Sequence, residues 1–278
     1  MQGKTVVITG ATAGIGEVAA LALARQGARI VFVARNPLKA DAMLGRLMIA
    51  APSVKHSVHM AELSRLSEMK RVAGEIAAEG PIDVLINNAG AVFSKRETTP
   101  DGLEMTFATN HLAYFVLTNL LLKQIKPGGR IVSTSSDAHR SGKLDFDDLQ
   151  AQKSYSAFRV YGTTKLENIL FTRELARRLK GTGITANCLH PGFVATSFGD
   201  NNGGWTEFAF GIAKKVGAIS PDEGAKTIVY LASAPEVRGQ SGGYYYKCTL
   251  ATPSAAAQND DDAKRLWDVS ARIAGVGA

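Results

Sequence analysis

Short runs of β-branched and apolar residues alternate along this chain with longer segments whose apolar positions recur at helical spacing. The runs that read as strands are Thr5–Thr9, Arg29–Ala34, Lys55–His59, Val84–Asn87, Arg130–Ser135, Thr185–His190 and Tyr244–Lys247. The helical segments are Gly14–Gln26, Leu38–Ala50, Leu66–Glu79, Gly102–Lys126, Phe158–Lys180 and Asp222–Ser233, with a weaker one at Asp261–Ile273. Strand cores such as Val6-Val7-Ile8 and Val84-Leu85-Ile86 are apolar at every position, as strands covered by helices on both faces have to be. The alternation predicts an α/β fold, a doubly wound parallel sheet of about seven strands with helices on both faces. No repeat, low-complexity tract or linker divides the chain, so residues 1–278 are expected to form a single domain. Two stretches lack periodicity, 137–157 and 193–217. Both follow strands at their carboxyl ends, where open α/β sheets place ligands, and both are expected to be substrate loops.

Composition narrows the function. The chain has 278 residues, 45% of them hydrophobic and 21% charged, which suits a globular protein. No window reaches the roughly 18 to 20 uninterrupted apolar residues of a membrane span. Its most apolar stretch, Leu112 to Ile125, is broken by Tyr114, Thr118, Asn119 and Lys123. Met1 is followed almost at once by the strand-like Lys4–Thr9, which leaves no room for a signal peptide. Cys188 and Cys248 fit neither a metal site nor a disulfide framework and read as reduced thiols, so a cytoplasmic protein is expected. A net charge of +7 raises the question of nucleic acid. Yet the basic residues are dispersed and nowhere interleaved with stacking aromatics, so no nucleic-acid partner is expected. A positive balance also suits a cofactor that carries several phosphates.

Thr9-Gly10-Ala11-Thr12-Ala13-Gly14-Ile15-Gly16 joins the first strand to the first helix. Glycines at 10, 14 and 16 allow a tight turn and close backbone approach to a pyrophosphate. The helix N-terminus behind them presents free N–H groups and a positive dipole end. The order strand, glycine turn, helix is that of a Rossmann-type dinucleotide site, with Thr12, Ala13 and Ile15 beside the glycines. At the end of the second strand the sequence reads Val33-Ala34-Arg35-Asn36. An acidic residue there would hold a ribose 2′-hydroxyl, whereas the Arg35 guanidinium can pair with a 2′-phosphate. NADP(H) is therefore preferred, with NAD(H) still possible.

Tyr161 and Lys165 stand four positions apart in a helical segment and share a face. A tyrosine with pKa near 10 is a poor base at neutral pH, and a neighbouring ammonium can lower that value. Alone the pair says little. Together with Thr9-Gly10, Gly14-Ile15-Gly16, Asn87-Asn88-Ala89-Gly90, Asn110, Ser136 and Pro191-Gly192, in this order, it resembles the short-chain dehydrogenase/reductase family from about residue 4 to about residue 250. Thr109-Asn110-His111-Leu112, Val132-Ser133-Thr134-Ser135-Ser136-Asp137-Ala138-His139, the run Leu170–Leu179 and Arg265-Leu266-Trp267-Asp268-Val269-Ser270 are most similar to its retinol-dehydrogenase-like branch.

The resemblance implies an NAD(P)-dependent oxidoreductase that moves a hydride between nicotinamide and a hydrophobic alcohol or carbonyl, steroid-, retinoid- or long-chain-like. Tyr161 would be its acid–base, and Lys165 would bind the nicotinamide ribose and depress the Tyr161 pKa. Ser136, chosen over Ser135 by where the family motif ends, would hold the substrate oxygen. Asn110 would anchor a water that links Lys165 to solvent. Asn87 would brace the sheet, while Asn88, Ala89 and Gly90 would flank the cofactor. Glu62 and Leu63 would lie beside the adenine, where the family usually has Asp-Leu. Pro191, Gly192, Val194 and Thr196 would line the nicotinamide. The two long helical segments, Gly102–Lys126 and Phe158–Lys180, are the family's usual dimer surface, so a homodimer is expected. Tyr161 follows Ser136 by 25 residues, an insertion shared with the retinol-dehydrogenase-like branch. The N-terminal anchor of the membrane relatives is not seen here, which implies a soluble member. An NAD(H)-dependent hydroxysteroid-type dehydrogenase and a non-catalytic NADP(H)-binding sensor are the alternatives.

Other residues carry weaker signals. His56 and His59 alternate on one strand without an acidic or thiol partner at ligand spacing, so no metal is expected. His139, near Ser136, reads as a loop residue with a substrate contact as the alternative, and His190 as a packing or capping residue. Tyr244-Tyr245-Tyr246 reads as a last strand with alternating burial. Phe193, Phe198, Trp205, Phe208 and Phe210 suit either core packing under a lid or the lining of an apolar pocket.

Overall fold

β-branched runs flanked by glycine or polar turns set the sheet. A computed structural model describes residues 1–193 and 219–277. In it β1 (Thr5–Thr9), β2 (Arg29–Ala34), β3 (Ser57–Met60), β4 (Ile82–Asn87), β5 (Ile125–Thr134), β6 (Thr185–Leu189) and β7 (Tyr244–Tyr246) run parallel. The strand order is 3-2-1-4-5-6-7-8, and the direction of winding reverses between β1 and β4. The described sheet has one strand more than expected. Lys247 and Cys248, both at positive φ (48° and 61°), turn the chain back into a short antiparallel β8, Thr249–Leu250. Neither residue is a glycine or asparagine, so no turn signal announced it.

Side chains alternate between two helical layers. Val7, Val31, Val33, Leu85 and Ile131 face α3 (Leu66–Ala78), α4 (residues 105–121) and α5 (Ala157–Arg178). Val6, Ile8, Ile30, Phe32, Val84 and Ile86 face α1 (Gly14–Arg25), α2 (Pro37–Ala50) and α6 (Pro221–Ser233). The helix α4 is composite: Met105–Phe107, a π-helical turn at Ala108–Leu112, then Ala113–Leu121. It stops short of the expected Lys126 because the residue before Pro127 is steered into extended geometry. Ile125 accordingly pairs with Ile82 as the start of β5, and the register shifts before Arg130.

The last helix, α7 (Asp260–Ala274), crosses α5 and α4. Its Trp267 stacks on Phe171 (5.8 Å, 14°), meets Phe115 edge-on at 4.9 Å and lies 4.4 Å beneath the Arg178 guanidinium. Ser270 Oγ hydrogen-bonds His111 Nε2 at 2.9 Å, and Asp260 pairs with Arg173 and Arg177. As a result residues 113–118 and 164–172 are all buried within one chain. The chain's own C-terminal helix thus covers part of the surface on which a homodimer was expected, while Leu120 and Phe158 stay exposed.

Candidate active site

The glycine turn is shaped by backbone crowding. Gly10 and Gly14 hold φ of 70° and 59°, conformations that side chains resist. A Cβ on Gly16 would stand 2.2 Å from Gly10 O and 2.4 Å from Asn88 Nδ2, and one on Gly10 would stand 2.8 Å from Ala89 Cα. The turn thus folds directly onto the end of β4. The first turn of α1 receives no side-chain cap from Ala13, whereas α2 is capped by Asn36 accepting from Lys39 N at 3.0 Å. Free donors, a positive dipole end and a half-exposed Thr12, Ile15, Ala89 and Gly90 make a cradle that fits a pyrophosphate.

Asn88 braces this cradle. Its amide donates to Thr9 O (3.1 Å) and Gly10 O (3.2 Å), and Thr134 donates to its oxygen at 3.3 Å. The Thr9 hydroxyl accepts from both Asn88 N and Ala89 N at 3.0 Å. Thr9 was not singled out in the sequence, although it sits first in the glycine motif. Asn87 is buried and donates to Thr118 Oγ1 at 2.9 Å, a bond from β4 to α4. Just past β2, Arg35 Nη1 lies 3.9 Å from Glu62 Oε2, and both side chains are substantially exposed. Leu63, by contrast, turns its side chain into the core. Pro191 and Gly192 follow β6 at the same sheet edge, with Gly192 at φ 94° against Ile219 and Tyr246. Val194, Thr196, Phe198, Trp205, Phe208 and Phe210 lie outside the described residues.

The π-helical turn in α4 carries Asn110 inward, a use to which such turns are often put. Its side chain accepts from Ala91 N (2.8 Å) and donates to Ala91 O (2.9 Å) and Thr164 Oγ1 (3.2 Å). Asn168 reaches from α5 to both Asn110 O (3.0 Å) and Thr134 O (3.3 Å). Lys165 Nζ, deep in the interior, donates to Thr134 O at 3.3 Å and lies 5.3 Å from the Tyr161 ring centroid. A Cβ on Gly90 would stand 3.4 Å from that ammonium, so Gly90 keeps the space beside it open. Ser136 hydrogen-bonds Tyr161. Ser135, its neighbour, is buried and donates to Lys165 O at 2.7 Å, a bond that fixes α5 to β5.

Ser136 and Tyr161 meet because two glycines let their segments touch. The tight turn Asp137–Ser141 ends at Gly142, where a Cβ would stand 2.5 Å from Gly162 O. A Cβ on Gly162 would in turn stand 2.7 Å from Ala138 O. Neither glycine drew notice in the sequence, since their meaning depends on a partner 20 residues away. The rest of the insertion is tied down by Tyr155 Oη donating to Phe93 O (2.7 Å) and by Gln150, which accepts from Glu104 N at 2.6 Å.

Electrostatics in the cleft follow burial. Tyr161 is partly accessible but so closely surrounded that burial pushes its phenol up to about 12, against a smaller lowering by Ser136. Burial pulls Lys165 down to about 7. Burial thus acts against the depression of Tyr161 that the resemblance implies for Lys165. His59, expected to lack acidic partners, has two, Glu75 (3.1 Å) and Glu79 (2.7 Å), delivered by α3. Among the described residues no group of three or more His, Cys, Asp or Glu could hold a metal ion.

Comparisons with known proteins bear on this geometry. The family model described as short chain dehydrogenase matches residues 4–206. Retinol dehydrogenase 14 from Homo sapiens is 40% identical over 99% of this chain and 88% of its own length. Retinol dehydrogenase 13 from Homo sapiens is 39% identical over 100% of this chain and 86% of its own. Among solved structures, a protein from Mycobacterium Paratuberculosis superposes with TM-score 0.80 at 31% identity, covering 99% of this chain and 94% of that one. A blue fluorescent protein from a metagenomic library, in complex with NADPH, gives 0.70 at 26% identity over 87% of this chain and 95% of that one.

Proposed function

The chain belongs to the short-chain dehydrogenase family as a retinol-dehydrogenase-like oxidoreductase, and from that premise we propose an NADP(H)-dependent enzyme that interconverts a hydrophobic alcohol and its carbonyl. One observation carries the proposal: Asn110, Ser136, Tyr161 and Lys165, drawn from three segments, converge at the carboxyl edge of the sheet beside the glycine cradle. A nicotinamide dinucleotide held in that cradle supplies or takes up the hydride. Gly10, Thr12, Ala13, Gly14, Ile15 and Gly16 would hold its pyrophosphate, with Ala89, Gly90, Pro191 and Gly192 bordering it and Asn88 stiffening the turn.

Tyr161 is the acid–base. A phenol held near 12 keeps its proton at neutral pH, which suits donation to a carbonyl oxygen during reduction. Ser136 orients the same oxygen, and Lys165, near 7, can carry charge or release it as the proton is replaced. Asn110 fixes the wall against which Lys165 packs. The half-exposed Arg35 favours a 2′-phosphate, for which it would exchange its long contact with Glu62. Residues 137–157 and 193–217 would frame the substrate.

A hydrophobic substrate is supported by the likeness to retinol dehydrogenases. A cytoplasmic setting is supported by both cysteines being free thiols. No described helix is long and apolar enough to cross a membrane. A homodimer would use the parts of α4 and α5 that α7 leaves exposed, among them Leu120 and Phe158. NADPH absorbance followed across retinoids, steroids, aliphatic aldehydes and quinones tests the reaction. Turnover of at least one class is expected. Tight NADPH binding with no turnover of any would refute it in favour of a nucleotide-binding sensor.

A further inference from the structure

His139 lies wholly buried at the foot of the candidate active site, and both of its ring nitrogens are engaged. Nδ1 stands 2.8 Å from Ser136 O, and the His139 main-chain N–H reaches the same carbonyl at 3.1 Å. Nε2 accepts from the Ser254 N–H at 3.0 Å. An acceptor at Nε2 puts the proton of a neutral ring on Nδ1, so Nδ1 is the donor to Ser136. Burial lowers the histidine's pKa and keeps the ring neutral, which suits this pattern. Tyr244 closes the ring edge-on at 5.2 Å. One imidazole thus links residue 136 to residue 254.

Ser136 itself is extended, at φ −155° and ψ 156°, and its Oγ accepts from Ala138 N at 3.2 Å. Two donors on its carbonyl fix the peptide plane from which the hydroxyl departs towards Tyr161. A second clamp runs parallel to the first. Arg140 pairs with Asp137 and donates to Thr252 O at 3.1 Å, again tying the turn to the segment after β8. No other described hydrogen bond joins the Ser136 carbonyl to a side chain.

We propose that His139 is a positioning residue for Ser136, so that the segment around Ser254 sets the geometry of the reacting hydroxyl through one histidine. This inference rests on the oxidoreductase reading for its kinetic test but not for its structural one. Misplacement of a reacting group by about 1 Å can cost on the order of 100-fold in rate.

The experiment compares His139→Ala, His139→Asn and Ser136→Ala, singly and with His139→Ala added to Ser136→Ala. NADPH-dependent reduction of retinal, or of 4-nitrobenzaldehyde, is read as kcat and KM, and NADPH affinity by fluorescence. His139→Ala should lower kcat about 10- to 100-fold with NADPH affinity nearly unchanged. His139→Asn, whose amide can still donate to the carbonyl, should restore most of it. On the Ser136→Ala background the same change should cost less than about threefold, because the two residues act as a unit. Independent, multiplying losses would overturn the proposal, as would full activity of His139→Ala. Amide exchange over residues 136–142 is the measurement that needs no turnover. It should quicken at least about tenfold in His139→Ala, or in His139→Phe, which fills the space without a donor, if the alanine variant does not fold, and unchanged exchange overturns the proposal. A wild-type chain without turnover but with quickened exchange in the variant refutes the enzymatic reading alone.

Discussion

The cradle around β1 and β4 and the catalytic cluster around β5 and α5 sit on one sheet edge but are built by different means. The cradle is a backbone object: positive φ at Gly10 and Gly14, a Gly16 packed onto a carbonyl, and Thr9 and Asn88 stitching main chain to main chain. The catalytic cluster is a side-chain object. Its members are held by groups far away in sequence: Asn110 by Thr164, Lys165 by Thr134, and the Ser136 turn by Ser254 through His139. The first should therefore fail when volume is added, and the second when one polar atom is removed.

Deleting the Tyr161 hydroxyl tests this most severely. Tyr161→Phe should lower kcat by at least about 1,000-fold, with NADPH affinity within about threefold by fluorescence titration. A similar loss of NADPH affinity would break the distinction between the two halves. Gly16→Ala should do the opposite. Its Cβ meets a carbonyl at 2.2 Å, so NADPH affinity should fall about 30-fold or more, with a stability loss of about 1–3 kcal/mol in denaturant unfolding. Unaltered binding in that variant would mean that the backbone can give way.

Arg35→Asp acts at the rim of the cradle, on an exposed side chain. It should weaken NADPH about tenfold, the loss of one charge-assisted contact, and leave NADH unaffected or improved. Equal loss for both cofactors would refute the 2′-phosphate assignment.

The smallest effect concerns Glu167, buried in α5 with both carboxylate oxygens unpartnered among the described residues. Burial raises its pKa well above the usual range, with nearby Glu104 adding to it. The folded chain therefore keeps the acid neutral while the unfolded chain ionises it above about pH 4.5. Stability attached to this group is full below that pH and declines as pH rises towards the folded pKa, by about 1.4 kcal/mol per unit. Glu167→Gln should remove the decline, giving a melting temperature that gains on wild type between about pH 5 and about pH 8. A constant difference across that range would show the carboxyl to be charged or solvated in the folded state.

The same division explains what could be read in advance. β1, β2 and the start of α1 were legible to the residue because their signals are local: a β-branched run, then a glycine turn, then helical spacing. Asn110, Ser136, Tyr161 and Lys165 were legible through a family pattern, and the structure does bring them together. His139 was not. Its sequence context is that of a loop, and its meaning depends on Ser254 and Tyr244, more than 100 residues on. Gly142 and Gly162 were invisible for the same reason, and β8 because its turn uses Lys247 and Cys248 in a conformation that favours glycine. The covering of α4 and α5 escaped too. Trp267 and Ser270 looked like a motif in a weak terminal helix, not the cap on a surface expected to be free.

The sequence by itself determined the order of strands and helices and the glycine turn, and through a family pattern it pointed to Asn110, Ser136, Tyr161 and Lys165. The first two depend on residue type and short spacing, which the chain carries wherever it folds. Only the tertiary structure decided which way burial drives Tyr161 and Lys165, what holds Ser136 and what packs on α5. Those depend on desolvation and on contacts between segments 30 to 160 residues apart, quantities no local pattern encodes.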